Sequence, residues 1–343
     1  MNEKPLFTIG IASYNYANYI KRLLSSIKEQ TFKDYEILIS DDFSTDNSLQ
    51  VINEFIEENP DICVRLIVAE KNEGLVANKN KLIENCKGKY LMLCDADDWM
   101  SKDCLAEMAQ KIEIENPDRV ISQVAHIDQN NNILQIEYIP SNQTKWGWNL
   151  HHGSVYKTDI LKENNIFIKQ MPDDVYLTVD FAQHSSKLSI IHKTLYYWLV
   201  HTDSEGRKKI NFNETYVQAT FCEVLKHVTK IIDDLDSSNI KEQRDIQELK
   251  LVRLKLYYFY ILFVFQNETY KDKIKYYNQL HSCMNDLDKN YMQTQCLSKN
   301  SEIVLREYPM KAIRLCTLLE KIHLMKLGLF GYHLITRFKY FDQ

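Results

Sequence analysis

The chain has 343 residues, of which 45% are apolar and 26% charged, a composition ordinary for a globular protein. No uncharged apolar stretch reaches the ~20 residues that a transmembrane helix needs, and the N-terminus lacks the basic-then-apolar pattern of a signal peptide. We therefore expect neither a membrane-spanning nor an exported protein. The eight cysteines are expected to be reduced thiols of a cytoplasmic protein. No nucleic-acid partner is expected.

Charge and strand signals divide the chain into two parts. Residues 1–205 contain 20 Lys and Arg against 31 Asp and Glu, whereas residues 206–343 contain 22 against 16. The first part is acidic and the second basic, so the two face different partners or each other. Strand signals are confined to the first part. We predict an α/β domain over residues 1–205 and an all-helical domain over residues 206–343.

Four apolar segments of the first part predict strands, at 7–12, 35–40, 64–69 and from Tyr90 onward. Each of the first three is followed by a segment with the spacing of an amphipathic helix. Such alternation predicts a mainly parallel sheet flanked by helices. The carboxyl ends of the strands then share one edge of the sheet, where ligands of open α/β sheets bind.

The segment from Tyr90 to Met100 carries the strongest chemical signal, because an apolar run leads directly into Asp95, Asp97 and Asp98. Carboxylates this close repel one another unless a cation compensates. Mg²⁺ typically binds one or two carboxylates together with substrate phosphates. In the alternative interpretation Asp98 caps the next helix, and the other two acids are solvated loop residues.

Several short motifs follow one another over the first part of the chain. They are Ala12-Ser13-Tyr14-Asn15, Gln30-Thr31-Phe32-Lys33-Asp34-Tyr35-Glu36, Asp41-Asp42-Phe43-Ser44-Thr45-Asp46, Asn72-Glu73-Gly74-Leu75, Lys79-Asn80, Gly88-Lys89-Tyr90 and Asp95-Ala96-Asp97-Asp98. In type and order they resemble the inverting glycosyltransferases of family 2, which have a GT-A fold. The resemblance covers residues 5–205. Two departures are Ala12, where the family usually has Pro or a hydroxyl residue, and Lys79, where Arg is common and would add a bidentate fork.

The resemblance implies a nucleotide-sugar site formed by Ser13, Tyr14, Asp42 and Lys79 together with the three acids after the Tyr90 strand. Asp42 would accept a hydrogen bond from uracil N3, and Tyr14 would lie against the base, where stacking contributes ~1–3 kcal/mol. Lys79 would approach the diphosphate as a point charge. Asp41 is expected to steady its own loop, and Asn72 and Asn80 to tie loops together.

The three acids take separate roles in the family. By resemblance, Asp95 reaches the ribose side, and Asp97 binds a divalent metal, Mn²⁺ or Mg²⁺, under the diphosphate. Asp98 orients either its loop or the donor sugar. His201, after the last predicted strand, is either a further metal ligand or a hydrogen-bonding loop histidine.

The acceptor side begins at an aromatic-rich loop that contains Trp146 and Trp148. Tryptophan rings cover the apolar faces of sugars, so both are candidate acceptor contacts, with burial in a loop core as the alternative. His151 and His152 follow without a third ligand at metal spacing. We interpret them as structural or acceptor-side residues.

An acidic pair, Asp173 and Asp174, precedes a predicted helix at the place of the family's acidic pair. A hydroxyl is a poor nucleophile at neutral pH, so a positioned carboxylate is expected to take its proton. The resemblance gives this general-base role to Asp174 and an orienting or acceptor-binding role to Asp173. The alternative is a helix N-terminus favoured by two acids. Asp180 is the second candidate base.

The second part of the chain predicts four helical segments, at 214–233, 241–265, 271–287 and from Glu302 to the end. Within 310–338, Lys311, Arg314 and Lys321 lie near one helical stripe, and Ala312, Leu315, Leu319 and Ile322 lie on another. A basic amphipathic helix binds anionic membrane surfaces, which would place the protein peripherally at the inner face of the cell membrane. The alternative is that its apolar face packs within the helical domain.

The sequence therefore predicts an inverting glycosyltransferase that uses a nucleotide-diphospho-sugar, expected to be a UDP-sugar. The acceptor would be a hydroxyl of a saccharide or a lipid-linked saccharide, in bacterial surface polysaccharide synthesis. One alternative is a non-catalytic nucleotide-sugar-binding scaffold. Another is a nucleotidyltransferase, which should carry a Gly-rich phosphate loop where Ser13-Tyr14-Asn15 stands.

Overall fold

The computed structural model of the chain describes residues 4–147, 150–201, 212–237, 243–293 and 307–338. The chain divides into two compact units, one of Met1–Ile139 and Trp148–Lys209 and the other of Pro140–Gly147 and Ile210–Gln343. The predicted boundary between residues 205 and 206 lies outside the described ranges. The inclusion of Pro140–Gly147 in the second unit has no counterpart in the sequence prediction.

The first unit is built on a nine-stranded mixed sheet. Its strands are β1 (Phe7–Ser13), β2 (Tyr35–Asp41), β3 (Val64–Val68), β4 (Tyr90–Asp95), β5 (Trp99–Met100), β6 (Arg119–Ile127), β7 (Ile133–Glu137), β8 (Ser154–Lys157) and β9 (Leu188–Leu199). The strand order is β3-β2-β1-β4-β8-β6-β9-β5, with β7 paired to β6. The four predicted strands are parallel neighbours, as expected. The antiparallel pairs made by β5, β7 and β8 were not predicted.

Helices cover both faces of this sheet. They are α1 (Ala17–Lys28), α2 (Ser48–Glu58), α3 (Leu75–Asn85), α4 (Cys104–Glu115), α5 (Thr158–Glu163) and α6 (Asp173–His184). Alternate residues of one strand serve opposite faces: Ile37 and Ile39 pack in the core on one side, and Leu38 packs in the core on the other. Strands that are buried on both faces have continuous apolar sequences. The four parallel strands could therefore be predicted from the sequence.

The strand register sets where the polar loops begin. Ser13 at the end of β1 pairs with Asp41 of β2, and Ala12 pairs with Asp95 of β4. Polar residues that follow these strands therefore meet at one edge of the sheet. On the other half of the sheet, Trp99 of β5 pairs with Tyr197 of β9, which brings the end of β9 to the same region.

The second unit is helical in its described part from residue 212 onward, whereas Pro140–Gly147 forms turns. Its helices are α7 (Glu214–Val217), α8 (Glu223–Ser237), α9 (Gln243–Phe259), α10 (Tyr270–Leu287), α11 (Glu307–Lys321) and α12 (Met325–Phe338), with π-helical turns at Gln218–Cys222 and Tyr260–Val264. The predicted helical segments are thus found, although the last is a pair of helices. Among the residues described, no helix has the length and apolar character to cross a membrane.

Candidate active site

Asp95 ends β4 and lies in an ion-pair network with a buried lysine. Lys79 of α3 is only 2% exposed, and its Nζ lies 2.9 Å from Asp95 Oδ1 and 2.7 Å from Asp173 Oδ2. Burial opposes the charge on Lys79, but Asp173 and Asp95 outweigh it and raise the pKa of the ammonium. Burial raises the pKa of Asp95, but Lys79, His151 and His152 outweigh burial and hold this pKa well below its ordinary value. Lys79 therefore joins the β4 acid to the N-terminus of α6.

Asp174, the second residue of α6, is held by His151. The backbone N–H of His151 donates to Asp174 Oδ1 at 2.7 Å, and the Nδ1 atom of the ring contacts the same oxygen. Burial raises the pKa of Asp174, but the contact with His151 outweighs burial and lowers it. Asp174 is therefore ionised at neutral pH, as a general base must be.

The two histidines before β8 lie inside the acid cluster. The His151 and His152 rings stack with centroids 4.0 Å apart, and His152 Nε2 lies 3.0 Å from Asp95 Oδ2. Gly153 allows this turn, because it has a φ of 62° and a Cβ there would meet Ser122 Oγ at 2.8 Å. Neighbouring positions in the sequence thus present two rings to the same site.

Asp95, His151 and His152 each offer a ligand atom within 4.8 Å of the others, a spacing that suits a metal ion. Lys79 Nζ, however, already lies 2.9 Å from Asp95 Oδ1 and 3.2 Å from His151 Nε2. An ammonium at this position repels a second cation. We therefore assign the compensating positive charge of this cluster to Lys79.

Asp98 is fully buried and fixes the loop. It accepts hydrogen bonds from Tyr196 OH and from the Leu199 N–H, both at 2.9 Å, so it ties the acidic loop to β9. Burial and the charges of Asp97 and Asp95 raise the pKa of Asp98 well above its ordinary value. Of the two roles predicted for Asp98, these contacts favour loop orientation.

Asp97 contacts His201, the predicted metal ligand that follows the last strand. His201 Nε2 lies 2.7 Å from Asp97 Oδ2, and the His201 ring stacks on Tyr19 at 4.6 Å. Arg22 donates to the carbonyl of Asp97 at 3.0 Å and lies over the Trp99 ring. Burial and the neighbouring Asp95 raise the pKa of Asp97, because both disfavour its charged form. A bound cation would stabilise that charged form. One carboxylate and one imidazole fit Mn²⁺, because Mg²⁺ prefers oxygen ligands.

The nucleotide-side residues gather at the ends of β1 and β2. Asp42 accepts from the N–H groups of Glu73 and Gly74 at 2.9 and 2.7 Å, and its own N–H donates to the Ser13 carbonyl. The hydroxyl of Ser13 is buried and has no hydrogen-bond partner within the described ranges. Tyr14 beside it is half-buried. The base and nucleotide contacts of these residues stay predictions.

Two expectations about residues that hold loops are confirmed by contacts. Asp41 accepts from the N–H and hydroxyl of Ser44, which confirms that it steadies its loop. Asn80 exchanges two hydrogen bonds with the backbone of Ile168, so it ties loops as predicted. Lys79 is buried among its partners, and its predicted contact with the diphosphate stays a prediction.

The acceptor-side tryptophans have different outcomes. Trp146 is 1% exposed and belongs to the second unit, so its ring is not available to a sugar in this structure. The alternative of burial in a loop core applies to it. Trp148 lies outside the described residues. Asp173 is buried against Lys79, which suits the orienting role and leaves acceptor binding as a prediction.

Two groups of residues contact the acids of the site in ways that the sequence did not predict. The first is His151 and His152, whose acidic partners Asp95 and Asp174 are distant in sequence, so no local spacing reveals them. The second is the pair Tyr196 and Arg22, which hold the acidic loop through Asp98 and the Asp97 carbonyl. The only local signal was the His-His-Gly sequence itself, because glycine marks a turn next to two potential ligands.

The mixed sheet, the acidic loop after β4 and the acid pair at the start of α6 define a GT-A-like glycosyltransferase domain. The profile of glycosyl transferase family 2 matches residues 8–185, and the chain belongs to this family. The predicted family and fold are thereby confirmed.

Curated relatives include the poly(ribitol-phosphate) beta-N-acetylglucosaminyltransferase TarS of Staphylococcus aureus strain MW2, 22% identical over 255 residues, which are 71% of this chain and 43% of TarS. The glycosyltransferase GlyA of Streptococcus pneumoniae is 26% identical over 220 residues, 58% of this chain and 31% of GlyA. The hyaluronan synthase of Pasteurella multocida is 39% identical over 111 residues, 31% of this chain and 11% of the synthase. The chain spans less than half the length of these relatives.

Solved structures of the same fold include residues 1–349 of S. aureus TarS in complex with UDP-GlcNAc. Its TM-score is 0.70 at 16% identity, over 98% of this chain and 92% of that one. The mannosyltransferase PcManGT of Pyrobaculum calidifontis, in complex with GDP-Man and Mn²⁺, has a TM-score of 0.52 at 13% identity, over 98% and 88% of the two chains. These likenesses support the GT-A-like sheet and the helical C-terminal region.

Proposed function

We propose that the protein is an inverting glycosyltransferase that moves a sugar from a UDP-sugar to a hydroxyl of a saccharide acceptor. The observation that carries this proposal is the position of Asp174. It is an ionised carboxylate with Oδ1 held by His151, and it is linked through Lys79 to Asp95 of the acidic loop. The carboxylate proposed as the general base thus lies in the same cluster as the residues expected to hold the donor.

In the proposed reaction one displacement transfers the sugar. The acceptor oxygen bonds to the anomeric carbon from the face opposite the diphosphate, and its proton passes to Asp174. The bond between the anomeric carbon and the diphosphate breaks, and its electron pair leaves with UDP. The configuration at the anomeric carbon is therefore inverted.

A divalent cation would be held by Asp97 and His201, and we propose Mn²⁺ because the pair supplies both an oxygen and an imidazole nitrogen. When bound, such an ion offsets the charge that develops on the departing diphosphate. Asp98, Tyr196 and Arg22 keep Asp97 in place through the loop.

The donor proposal rests on the nucleotide-side residues. Ser13 Oγ and Asn78 Oδ1 are buried without hydrogen-bond partners among the residues described, which suits a polar ligand at the ends of β1 and β2. The TarS complex with UDP-GlcNAc supports a UDP-sugar of the hexose or N-acetylhexosamine type. We propose an acceptor in a bacterial surface polysaccharide, free or lipid-linked, in line with the names of the relatives.

A screen of UDP-sugars without acceptor tests this function. We expect one or a few of them to release UDP only when Mn²⁺ is present, with water in the place of the acceptor hydroxyl. The released sugar should carry the inverted anomeric configuration when its spectrum is recorded before mutarotation. Tight UDP binding with no turnover for any donor would instead favour the non-catalytic scaffold. A retained configuration would contradict the single displacement.

We further propose that the pair α11–α12 docks on an anionic lipid surface. Six apolar side chains of these helices and of the turn between them are exposed: Leu315, Leu318, Ile322, Leu324, Leu327 and Phe330. Lys311, Lys321 and Lys326 are exposed beside them. The inward face is instead made by Ile313, Cys316 and Thr317, so the predicted apolar stripe through Leu315 and Ile322 faces outward.

The burial of one acid leaves the exposed side chains of residues 311–333 without a carboxylate. Glu320 is the only acidic residue between Lys311 and His333. It points into the helical unit, where it accepts hydrogen bonds from Tyr257, Tyr258 and Tyr291 at 2.5, 2.9 and 2.7 Å. No carboxylate of this segment therefore opposes an anionic headgroup. Each lysine near such a surface contributes about 1 kcal/mol.

A further inference from the structure

Two donors of His151 meet on one oxygen of the proposed base. The His151 N–H lies 2.7 Å from Asp174 Oδ1, and the ring Nδ1 contacts the same atom. Within the described ranges, Asp174 Oδ2 makes no hydrogen bond or ion pair. One oxygen of the carboxylate is thus held, and the other is left for the hydroxyl of the acceptor.

The contacts of Lys79 indicate which nitrogen of His151 carries the hydrogen. An ammonium group has three N–H donors and no lone pair. Lys79 Nζ has three neighbours at hydrogen-bond distance, namely Asp173 Oδ2 at 2.7 Å, Asp95 Oδ1 at 2.9 Å and His151 Nε2 at 3.2 Å. The Nε2 atom faces this ammonium. The ionised carboxylate of Asp174 offers only lone pairs, so the Nδ1 atom that contacts it carries the hydrogen that is donated.

Aromatic packing fixes the plane of the His151 ring. The ring stacks on His152 with centroids 4.0 Å apart and an interplanar angle of 29°, and His152 stacks on Trp198 at 4.6 Å and 11°. The His151 side chain is only 2% exposed. With its two nitrogens and one face engaged, the imidazole cannot turn away from Asp174 without breaking several contacts.

We propose that His151 is the positioning residue of the base, with its Nδ1–H holding Asp174 so that Oδ2 faces the acceptor hydroxyl. This rests on the proposed function, in which Asp174 takes the proton. His151 itself contacts neither reacting atom. Without the Nδ1 donor, the carboxylate rotates about its Cβ–Cγ bond. Asp174 Oδ2 then no longer points at the hydroxyl proton of the acceptor. The transfer step should slow, whereas the affinity for UDP should not change.

Two amide substitutions separate the two nitrogens of the ring. Asn places its amide near the position of Nδ1, whereas Gln places its amide near the position of Nε2. His151→Asn therefore keeps a donor for Asp174, and His151→Gln keeps only a group beside Lys79. We expect His151→Gln to lower kcat about tenfold or more, since small misplacements of a catalytic group have effects of this size. His151→Asn should retain clearly more activity, and both variants should bind UDP as the wild type does.

A double variant distinguishes an effect of His151 through Asp174 from a general disturbance of the site's structure. If His151 acts through the base, His151→Gln should cause no further loss in an Asp174→Asn background, because residues that act as a unit are not additive. Equal losses in the Asn and Gln variants, or an additive loss in the double variant, would overturn the positioning role. If Asp174→Asn is inactive and His151→Gln is unimpaired, only this inference fails. An active Asp174→Asn variant would instead reject the proposed base.

Discussion

His201 Nε2 lies 2.7 Å from Asp97 Oδ2, although the two residues are 104 positions apart in the sequence. Asp97 follows β4 and His201 follows β9, and the pairing of Trp99 with Tyr197 brings the ends of these segments together. The proximity of a carboxylate and an imidazole next to further acids is the geometry expected of a cation site.

Replacement of Asp97 tests this site. Asp97→Asn should abolish the Mn²⁺-dependent part of UDP binding, because a neutral amide is a poor ligand for a divalent cation. Calorimetric titration of UDP with and without Mn²⁺ measures it. Asp61→Asn, at an exposed acid, is the matched control and should bind as the wild type does. Equal Mn²⁺-dependent affinity in the wild type and Asp97→Asn would rule out the metal role.

The fold was largely predictable because its central strands are buried on both faces. Apolar segments such as Phe7–Ser13 and Tyr90–Asp95 are typical of strands in the centre of a parallel sheet. The short antiparallel strand Trp99–Met100 has no such signal, because its two residues belong to the sheet only through their pairing with Tyr196 and Tyr197. Tertiary contacts decide such elements, so a local pattern does not show them.

The candidate site was predictable where chemistry is concentrated in a short motif. The acids after β4 and the pair Asp173 and Asp174 were predicted from local sequence and family resemblance. The role of His151 depends on contacts with Asp95, Asp174 and Lys79, which lie on different elements. Likewise, nothing in the sequence distinguishes a buried tryptophan at position 146 from an exposed one. The contacts of His151 and the burial of Trp146 are visible only in the three-dimensional arrangement.

A buried carboxylate at the other end of β2 makes stability depend on pH. Glu36 is buried, which raises its pKa, but hydrogen bonds from Arg65, Thr8 and the Lys87 N–H outweigh burial and lower it. A lowered pKa in the folded state stabilises the protein above the unfolded value near 4.5, and this contribution is lost as the pH falls through the folded value.

Glu36→Gln should therefore lower the free energy of unfolding at pH 7 by about 2 kcal/mol, the size of hydrogen bonds to a charged group. The difference in the free energy of unfolding between the variant and the wild type should shrink as the pH falls from the unfolded value near 4.5 through the lowered folded pKa of Glu36, where the wild-type carboxylate becomes protonated. Urea unfolding at a series of pH values measures both effects. Glu57→Gln, at an exposed glutamate, is the control. A deficit that does not change with pH would contradict the ionised state of Glu36.

The proposed lipid surface makes a prediction about charge. Replacement of Lys311, Lys321 and Lys326 by Glu should abolish flotation with vesicles of anionic lipid, because these exposed lysines supply the attraction. The wild-type protein should float with anionic but not with neutral vesicles, and added salt should release it. The matched control reverses Lys230, Lys275 and Lys289, which are exposed elsewhere in the helical unit. Equal flotation of both triple variants would leave α11–α12 without a specific role in docking.

The proposed role of Asp174 as the base of a sugar transfer is tested by the rate of Mn²⁺-dependent UDP release from a UDP-sugar substrate. Asp174→Asn should lower this rate by about 10² or more, the usual contribution of a general base, while UDP binds with wild-type affinity. Asp180→Asn, on the same helix, should react near the wild-type rate. A wild-type rate for Asp174→Asn would show that Asp174 is not the base. A loss of rate in Asp180→Asn alone would assign the base to Asp180 instead.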